Sequence, residues 1–374
     1  MDQPDILIIG GGSAGCVLAA RLSEDAATRV LLLEAGRDTP PDRVEPEILD
    51  SYPRIAYFNP KNLWADLRVQ LTPVPHNNPS AAPPLVRYEQ PRLMGGGSSL
   101  NDMQANRGTP DDYEGWERLG AAGWGWANVL PYFRKLERDM DFDGPFHGKE
   151  GPIPVRRIMP DVWPGFSRAA AAAFGAAGHP FIADQNATFT DGYFPVAISN
   201  LYDLRVSTAI GYLTNAVRSR PNLKIQAGTR VLDLVAEGTR ITGARVTAEG
   251  GEKVIRAARV IVCAGAIHSP ALLLRAGIGP AVALSALGIP ALADRPGVGA
   301  NLMEHPAISI SAWLKPEARL PDTMRRHIHV GLRWSSGEPG CPTQDMYMVA
   351  MCRTGWHPLG LRIALNEIYA RYEI

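Results

Sequence analysis

Six residues, Gly10-Gly11-Gly12-Ser13-Ala14-Gly15, constrain this chain more than any others. They follow the apolar run DILIIG at 5–10, which has the length of a parallel strand buried on both faces. They open a stretch, Ser13 to Ser23, in which Val17, Leu18 and Leu22 recur near helical spacing. A second apolar run, Arg29 to Glu34, completes a strand-helix-strand unit of about thirty residues. In such a unit the first glycine permits the tight turn, the second lets backbone N–H groups approach a pyrophosphate, and the third lets the helix pack close to the sheet. Glu34, ending the second strand 19 residues beyond Gly15, is placed to accept hydrogen bonds from the ribose hydroxyls of an adenosine and to repel a 2′-phosphate. The pattern predicts a dinucleotide site, disfavours NADP, and leaves FAD and NAD undivided.

Two further segments carry chemistry. Arg92-Leu93-Met94-Gly95-Gly96-Gly97-Ser98-Ser99-Leu100-Asn101 packs three glycines and two hydroxyls, as a loop needs where backbone approaches an anion closely, although a surface glycine loop has the same composition. Gly265-Ala266-Ile267-His268-Ser269-Pro270, running to Gly277-Ile278-Gly279, predicts a strand, a tight turn and a helix. Ser269 would be its N-cap, Pro270 its first residue and Gly277 the residue past its end. Between the motifs, Thr39 to Pro84 reads as irregular chain, and Asn128–Glu137, Gly165–Ala177 and Ser207–Ser219 as helices. Leu223–Ala227, Arg230–Ala236, Ile241–Ala248 and Lys253–Arg256 read as a β-meander, and Arg259–Ala264 as a buried strand returning to the first sheet.

Composition excludes several classes. Across 374 residues, 38 basic side chains balance 38 acidic ones, so no general electrostatic drive toward nucleic acid exists. Cys16, Cys263, Cys341 and Cys352 lie far apart without a CxxC pair, which points to no disulfide framework and no zinc site. No apolar run is long enough to span a bilayer, and the acidic start, Met1 to Asp5, lacks a basic region ahead of an apolar one; a cytoplasmic location and no transmembrane segment are expected.

Together these segments resemble the glucose-methanol-choline (GMC) family of flavin-dependent oxidoreductases. Its two signatures correspond to Arg92–Asn101 and Gly265–Gly279, followed by the family-like Arg295 to His305. Tyr88–Gln90, Gly95–Leu100, Asp112–Trp126 and Gly151–Pro154 look most like the hydroxymethylfurfural oxidase-like and aryl-alcohol-oxidising members. The resemblance implies an α/β chain, α+β overall. A Rossmann-type FAD-binding domain would be built from discontinuous segments (1–85 and 204–308), with a flavin-covering segment (86–134). An inserted substrate domain with an antiparallel sheet would take 135–203 and 309–374. It also implies cofactor contacts residue by residue: Gly10, Gly12, Ser13, Ala14 and Gly15 at the pyrophosphate, and Glu34 with Ala35 at the ribose. Arg92, Gly96, Gly97 and Ser98 would lie along the cofactor and Asn101 near the flavin ring. Val231 would meet the adenine, and Ala264 and Gly265 would sit beside the dinucleotide. Leu100 stands where some members carry a histidine bonded to the flavin, so FAD is expected to be held non-covalently. Asp102 departs from the apolar residue of those relatives; with Met103 it is a candidate for the substrate pocket, or it is structural.

The implied reaction is oxidation of a primary alcohol, aryl or furanic, to the aldehyde. Hydride passes to flavin N5 and the electrons pass to oxygen or another acceptor; a choline-type or aliphatic alcohol dehydrogenase and an inert flavin binder are the alternatives. The family's base is a histidine in a C-terminal segment. None of His76, His147, His179, His268, His305, His327, His329 and His357 has that context, so the base is expected beyond Ile374 and the chain is expected to be truncated. His268 and His305 read as packing residues, and Arg325-Arg326-His327-Ile328-His329 as the solvated face of a strand.

Overall fold

A parallel sheet organises the first part of the chain. In the computed structural model, which describes residues 3–70 and 85–353, β1 (Ile6–Ile9) is joined through α1 (Ser13–Leu22) to β2 (Val30–Leu33). Three later strands, β4 (Arg230–Glu237), β5 (Arg240–Ala248) and β6 (Gly251–Arg256), form an antiparallel meander flanked by β3 (Leu223–Gln226) and β7 (Arg259–Val262). The sheet order is β3-β2-β1-β7, all parallel, in continuous register from Ile6 against Val30 and Arg259. Alternation sorts its faces. Leu7, Ile9, Leu31 and Leu33 pack on Leu234, Ala244 and Val246 of the meander and on Leu272 of α2 (Gly265–Arg275). Leu32 faces α1, where a Cβ on Gly15 would lie 3.5 Å from it. All eight residues of β1 and β2 are buried, and each such aliphatic chain contributes about 1.5–3 kcal/mol.

Several expectations are corrected here. The strand at 223 leaves the meander and becomes the outer strand of the parallel sheet, because its residues pair with β2. β7 joins that sheet but is only half-buried, having β1 alone as neighbour. Helix α2 starts at Gly265 rather than after Ser269: Gly265, at φ +82°, reverses the chain directly at the end of β7, and Pro270 falls inside the helix. Ser207–Ser219 is two short helices, Thr208–Gly211 and Asn215–Arg218. A second N-cap interrupts it: Ser207 Oγ accepts from Ile210 N and Thr214 Oγ1 from Val217 N. The stretch after Thr39 holds the short helices Pro46–Leu49 and Arg54–Phe58. His76 and His357 lie outside the described residues.

The chain divides into two compact units: Met1–Glu45, Ala56–Leu100 and Ser207–Ala307 in one, Pro46–Ile55, Asn101–Val206 and Ile308–Ile374 in the other. This division assigns Pro46–Ile55 to the second unit and splits the 86–134 segment after Leu100. In the second unit a three-stranded antiparallel sheet is ordered Met346–Met351, Ile328–Trp334, Gly192–Pro195. Helix Gly165–Ala176 covers one face through Ala171 and Phe174 against Val330, Leu332 and Ala350; Met103, Phe194, Val196 and Ile198 pack with Ile328 in a second cluster. Both faces of the strand are therefore covered, and Arg326, His327 and His329 are buried rather than solvated.

The second unit also buries a charge network. His147 Nε2 lies 2.6 Å from Asp184, and its Nδ1 lies 3.1 Å from both Glu137 and Asp139. Arg107 pairs with Glu137 at 2.6 Å, and Arg157 with Asp139 and Asp184 at 3.0 Å each. The cluster Glu137, Asp139 and His147, compact enough for a metal, is already engaged by the cations of Arg107, Arg157 and His147 itself, with Asp141 also 3.5 Å from Arg157. Burial works against the charge on His147, but the three carboxylates outweigh it and hold its pKa at about 10.

Candidate functional site

The carboxyl ends of β1 and β7 adjoin, and each strand runs directly into a helix. From β1 the chain crosses through α1 toward β2, while β7 flanks β1 on the opposite side, so a topological switch point falls at the end of β1. Gly12 caps α1 and Ala264 caps α2. Neither end has a side-chain cap or an acidic residue in its first turn, so both helices present free N–H groups and the positive end of their dipoles.

The glycines divide by what surrounds them. A Cβ on Gly10, at φ +101°, would overlap the carbonyl of Cys263, and one on Gly15 would overlap the carbonyl of Gly10; both are required by packing. A Cβ on Gly12 would meet nothing nearer than 3.9 Å, and one on Gly97 nothing within 4 Å. Protein packing does not demand glycine at these two positions, and the space beside them is left open. The second glycine loop lies on the first: Gly95 N donates to Gly11 O at 2.7 Å, and a Cβ on Gly96 would come within 2.8 Å of Gly12 Cα. Ser98 is occupied in locking this loop, its Oγ donating to Gly95 O at 2.7 Å and accepting from Thr208 N at 3.0 Å.

Glu34 lies at the rim, 7% exposed. Its carboxylate accepts from Gly11 N at 2.8 Å and Gly36 N at 2.7 Å, tying the phosphate-type loop to the end of β2 while each oxygen keeps a lone pair. Burial raises its pKa, opposed by those backbone donors and by Arg92. Beside Ala35 and Gly36 opens a cavity of about 620 Å3. Within it the Trp64 ring has the Arg92 guanidinium 4.8 Å and the Arg230 guanidinium 5.4 Å from its centre, with the His268 ring at 4.7 Å. His268 Nε2 is buried without a hydrogen-bond partner among the described residues, and burial, then Arg230 and Arg275, push its pKa down. Sequence reasoning missed Trp64 and Arg230 here. Arg230 adjoins Val231 at the start of β4, while Trp64 sits in a stretch without periodicity that gave no signal.

Ser13 and Ala14 form the first turn of α1, Val231 packs beside the sheet cluster, and Ala264 and Gly265 occupy the turn into α2. The remaining candidates belong to the second unit. Asn101 Oδ1 accepts from Met103 N and Arg205 Nη1, both at 3.0 Å. Met103, at φ +60°, is packed inside an apolar cluster rather than lining an opening. Asp102 Oδ2 lies 3.3 Å from Arg54 Nη2 and Oδ1 3.7 Å from His327 Nε2.

The family description "GMC oxidoreductase" matches residues 4–307. The chain is 47% identical over 353 residues to a 5-(hydroxymethyl)furfural oxidase of Methylovorus sp. (strain MP688), covering 92% of this chain and 65% of that one. To an oxygen-dependent choline dehydrogenase of Staphylococcus saprophyticus it is 34% identical, covering 92% and 60%. Among solved structures, pyridoxine 4-oxidase from Mesorbium loti superposes with a TM-score of 0.70 at 37% identity, over 79% of this chain and 56% of that one. The chain thus spans less than two thirds of the length of these relatives. With the parallel sheet, the two signature segments and these similarities, the chain belongs to the GMC oxidoreductases, a family of FAD flavoproteins.

Proposed function

We propose that the first unit holds FAD non-covalently and that the protein oxidises a primary alcohol, aryl or furanic, to the aldehyde. The observation that carries this reading is the convergence of two glycine loops and two uncapped helix N-termini at the end of β1, with Glu34 at the rim. In this reading the free N–H groups of α1 hold the pyrophosphate, and the remaining lone pairs of Glu34 accept the ribose hydroxyls. The cavity at Trp64 takes the adenine between aromatic and guanidinium faces. Gly97 leaves room for the cofactor, and Leu100 has no nucleophile with which to bond it. When bound, the flavin supplies a two-electron acceptor for hydride from the carbinol carbon.

The second unit, with its antiparallel sheet, is assigned the substrate. The furanic or aryl class is supported by the 47% identity to a hydroxymethylfurfural oxidase. A choline-type substrate, suggested by the 34% relative, fits less well, because Asp102 is already ion-paired with Arg54 and offers no net charge to a quaternary ammonium. The proton acceptor is assigned to none of the described histidines. His147 is locked as a cation, His327 and His329 are buried and neutral, and His268 lines the cavity of the first unit.

The test is titration of the purified chain with FAD, followed by flavin fluorescence, and then anaerobic addition of a furanic primary alcohol or of choline. Saturable quenching is expected, and bleaching by the furanic alcohol in preference to choline. Absence of FAD binding would sink the reading. Binding without bleaching by either alcohol would favour the inert flavin binder.

A further inference from the structure

Arg326 is a buried cation that neither the site nor the charge network above uses. Its side chain is among the largest fully buried ones of the described residues, with 1% of the residue exposed, and Nε, Nη1 and Nη2 all lack a hydrogen-bond partner among the described residues. Among the described residues the other buried arginines have partners. Arg54 has Asp102, Arg107 has Glu137, Arg157 has Asp139 and Asp184, Arg205 has Ile48 O, and Arg333 has Thr188 O. A buried guanidinium with no partner is among the costliest arrangements a fold can hold, and it does not escape by losing its proton at neutral pH.

The charges around Arg326 do not answer it. Asp203 and Asp141 attract it from a distance and Arg156 repels it. Asp141 is already engaged, its Oδ2 accepting from Arg157 N at 2.6 Å, and Asp203 stands exposed in a hairpin turn at φ +60°. Next to it in the chain, His327 and His329 are neutral imidazoles whose pKa values burial pushes down to about 3, with Arg54, Arg353, Arg326 and Arg325 adding to the effect at His327. His329 Nδ1 pairs with Ser167 Oγ at 3.1 Å. Neither histidine supplies negative charge. On the hairpin that carries Asp203, Asn200 is fully buried, and both its Oδ1 and its Nδ2 also lack partners among the described residues.

We propose that the second unit contains an internal site for a small planar oxyanion of the carboxylate class, held by the unpartnered guanidinium fork of Arg326. Water could hydrogen-bond to these donors but would leave the charge uncompensated. A carboxylate matches the two parallel N–H groups of the fork and neutralises it. The anion comes from one of two sources, a free small carboxylate or the acid end of a ring-bearing molecule, and both share this chemistry.

The experiment uses the whole chain in a buffer free of carboxylates, with melting followed as sodium formate, sodium benzoate or sodium chloride is added at matched ionic strength. A ligand that binds only the folded state raises the midpoint saturably, by roughly 2–4 °C at a hundredfold excess over its dissociation constant. Formate is expected to do this where chloride does not, and Arg326→Met is expected to abolish the response. Benzoate acting as well as formate assigns the site to a ring-bearing acid; formate alone assigns it to a free ion. An equal response to chloride, a response surviving in Arg326→Met, or no response of the unmodified chain overturns the proposal. Should the variant not fold, titration calorimetry of the unmodified chain with formate takes its place: a saturable heat supports the site, and its absence overturns the proposal.

Discussion

The two units handle buried polarity in opposite ways. The first builds its proposed site from backbone: helix ends, glycine loops and one carboxylate that accepts two amide hydrogens. The second buries whole charged side chains, with His147 among three carboxylates and Arg157 fully enclosed. A backbone site needs only particular residues at fixed spacing, so its cost is local. A side-chain network joins residues from Arg107 to Asp184 and fails when one member is removed.

The largest expected effect probes that network. His147→Leu leaves Glu137, Asp139 and Asp184 short of one cation and should cost about 3–5 kcal/mol in chemical denaturation. The pH dependence follows. The folded pKa of about 10 lies above the unfolded value near 6.5, so the contribution of His147 is complete below that lower value and is lost as pH rises toward 10. Unmodified protein should lose stability across that alkaline window and the variant should not; parallel curves would refute the role given to His147. Asp139, held well below the usual carboxylate range, acts in the other direction and loses its contribution in acid.

Next comes Gly15→Ala, whose methyl would overlap the Gly10 carbonyl; a loss of about 1–3 kcal/mol or more is expected in the same assay. Gly12→Ala separates ligand from fold. Its methyl has room in the protein, so the melting temperature should hold, while FAD affinity measured by fluorescence titration falls about tenfold, or ~1.4 kcal/mol. If both glycine variants lose stability equally, the distinction between packing and cradle glycines collapses. Smallest is Ser207→Ala, which removes the cap beside the second glycine loop and should cost about 1 kcal/mol of thermal stability.

This contrast also explains what could be read from the chain alone. Glycine at positions 10 and 15 is demanded by backbone overlap that any sequence for this turn must avoid, and β1 and β2 show as unbroken apolar runs because both of their faces are covered. That the loop at Gly95 touches the loop at Gly11 was not legible, since 84 residues of chain separate the partners. The network around His147 was hidden for a different reason. Its members sit in short strands and loops where charge ordinarily means solvent, and pairing across such distances leaves no periodic trace. The segment Arg325 to His329 misled through its polar-apolar alternation, which suggests one wet face where the structure covers both. Ser269 and Pro270 satisfy the capping pattern, yet Gly265 starts the helix earlier because its positive φ allows it.

Cys16 makes the first unit measurable in time as well as in energy. Its thiol is wholly enclosed beneath the first glycine loop, donates to Gly11 O at 3.1 Å, and is pushed up to about 12 by burial. Alkylating reagents need an accessible thiolate, so modification of Cys16 proceeds only through the moments when the loop lifts from the helix. Exposed Cys341 reacts in the same tube as an unprotected reference. The ratio of the two rates turns a sulfur atom into a clock for the opening of the nucleotide cradle.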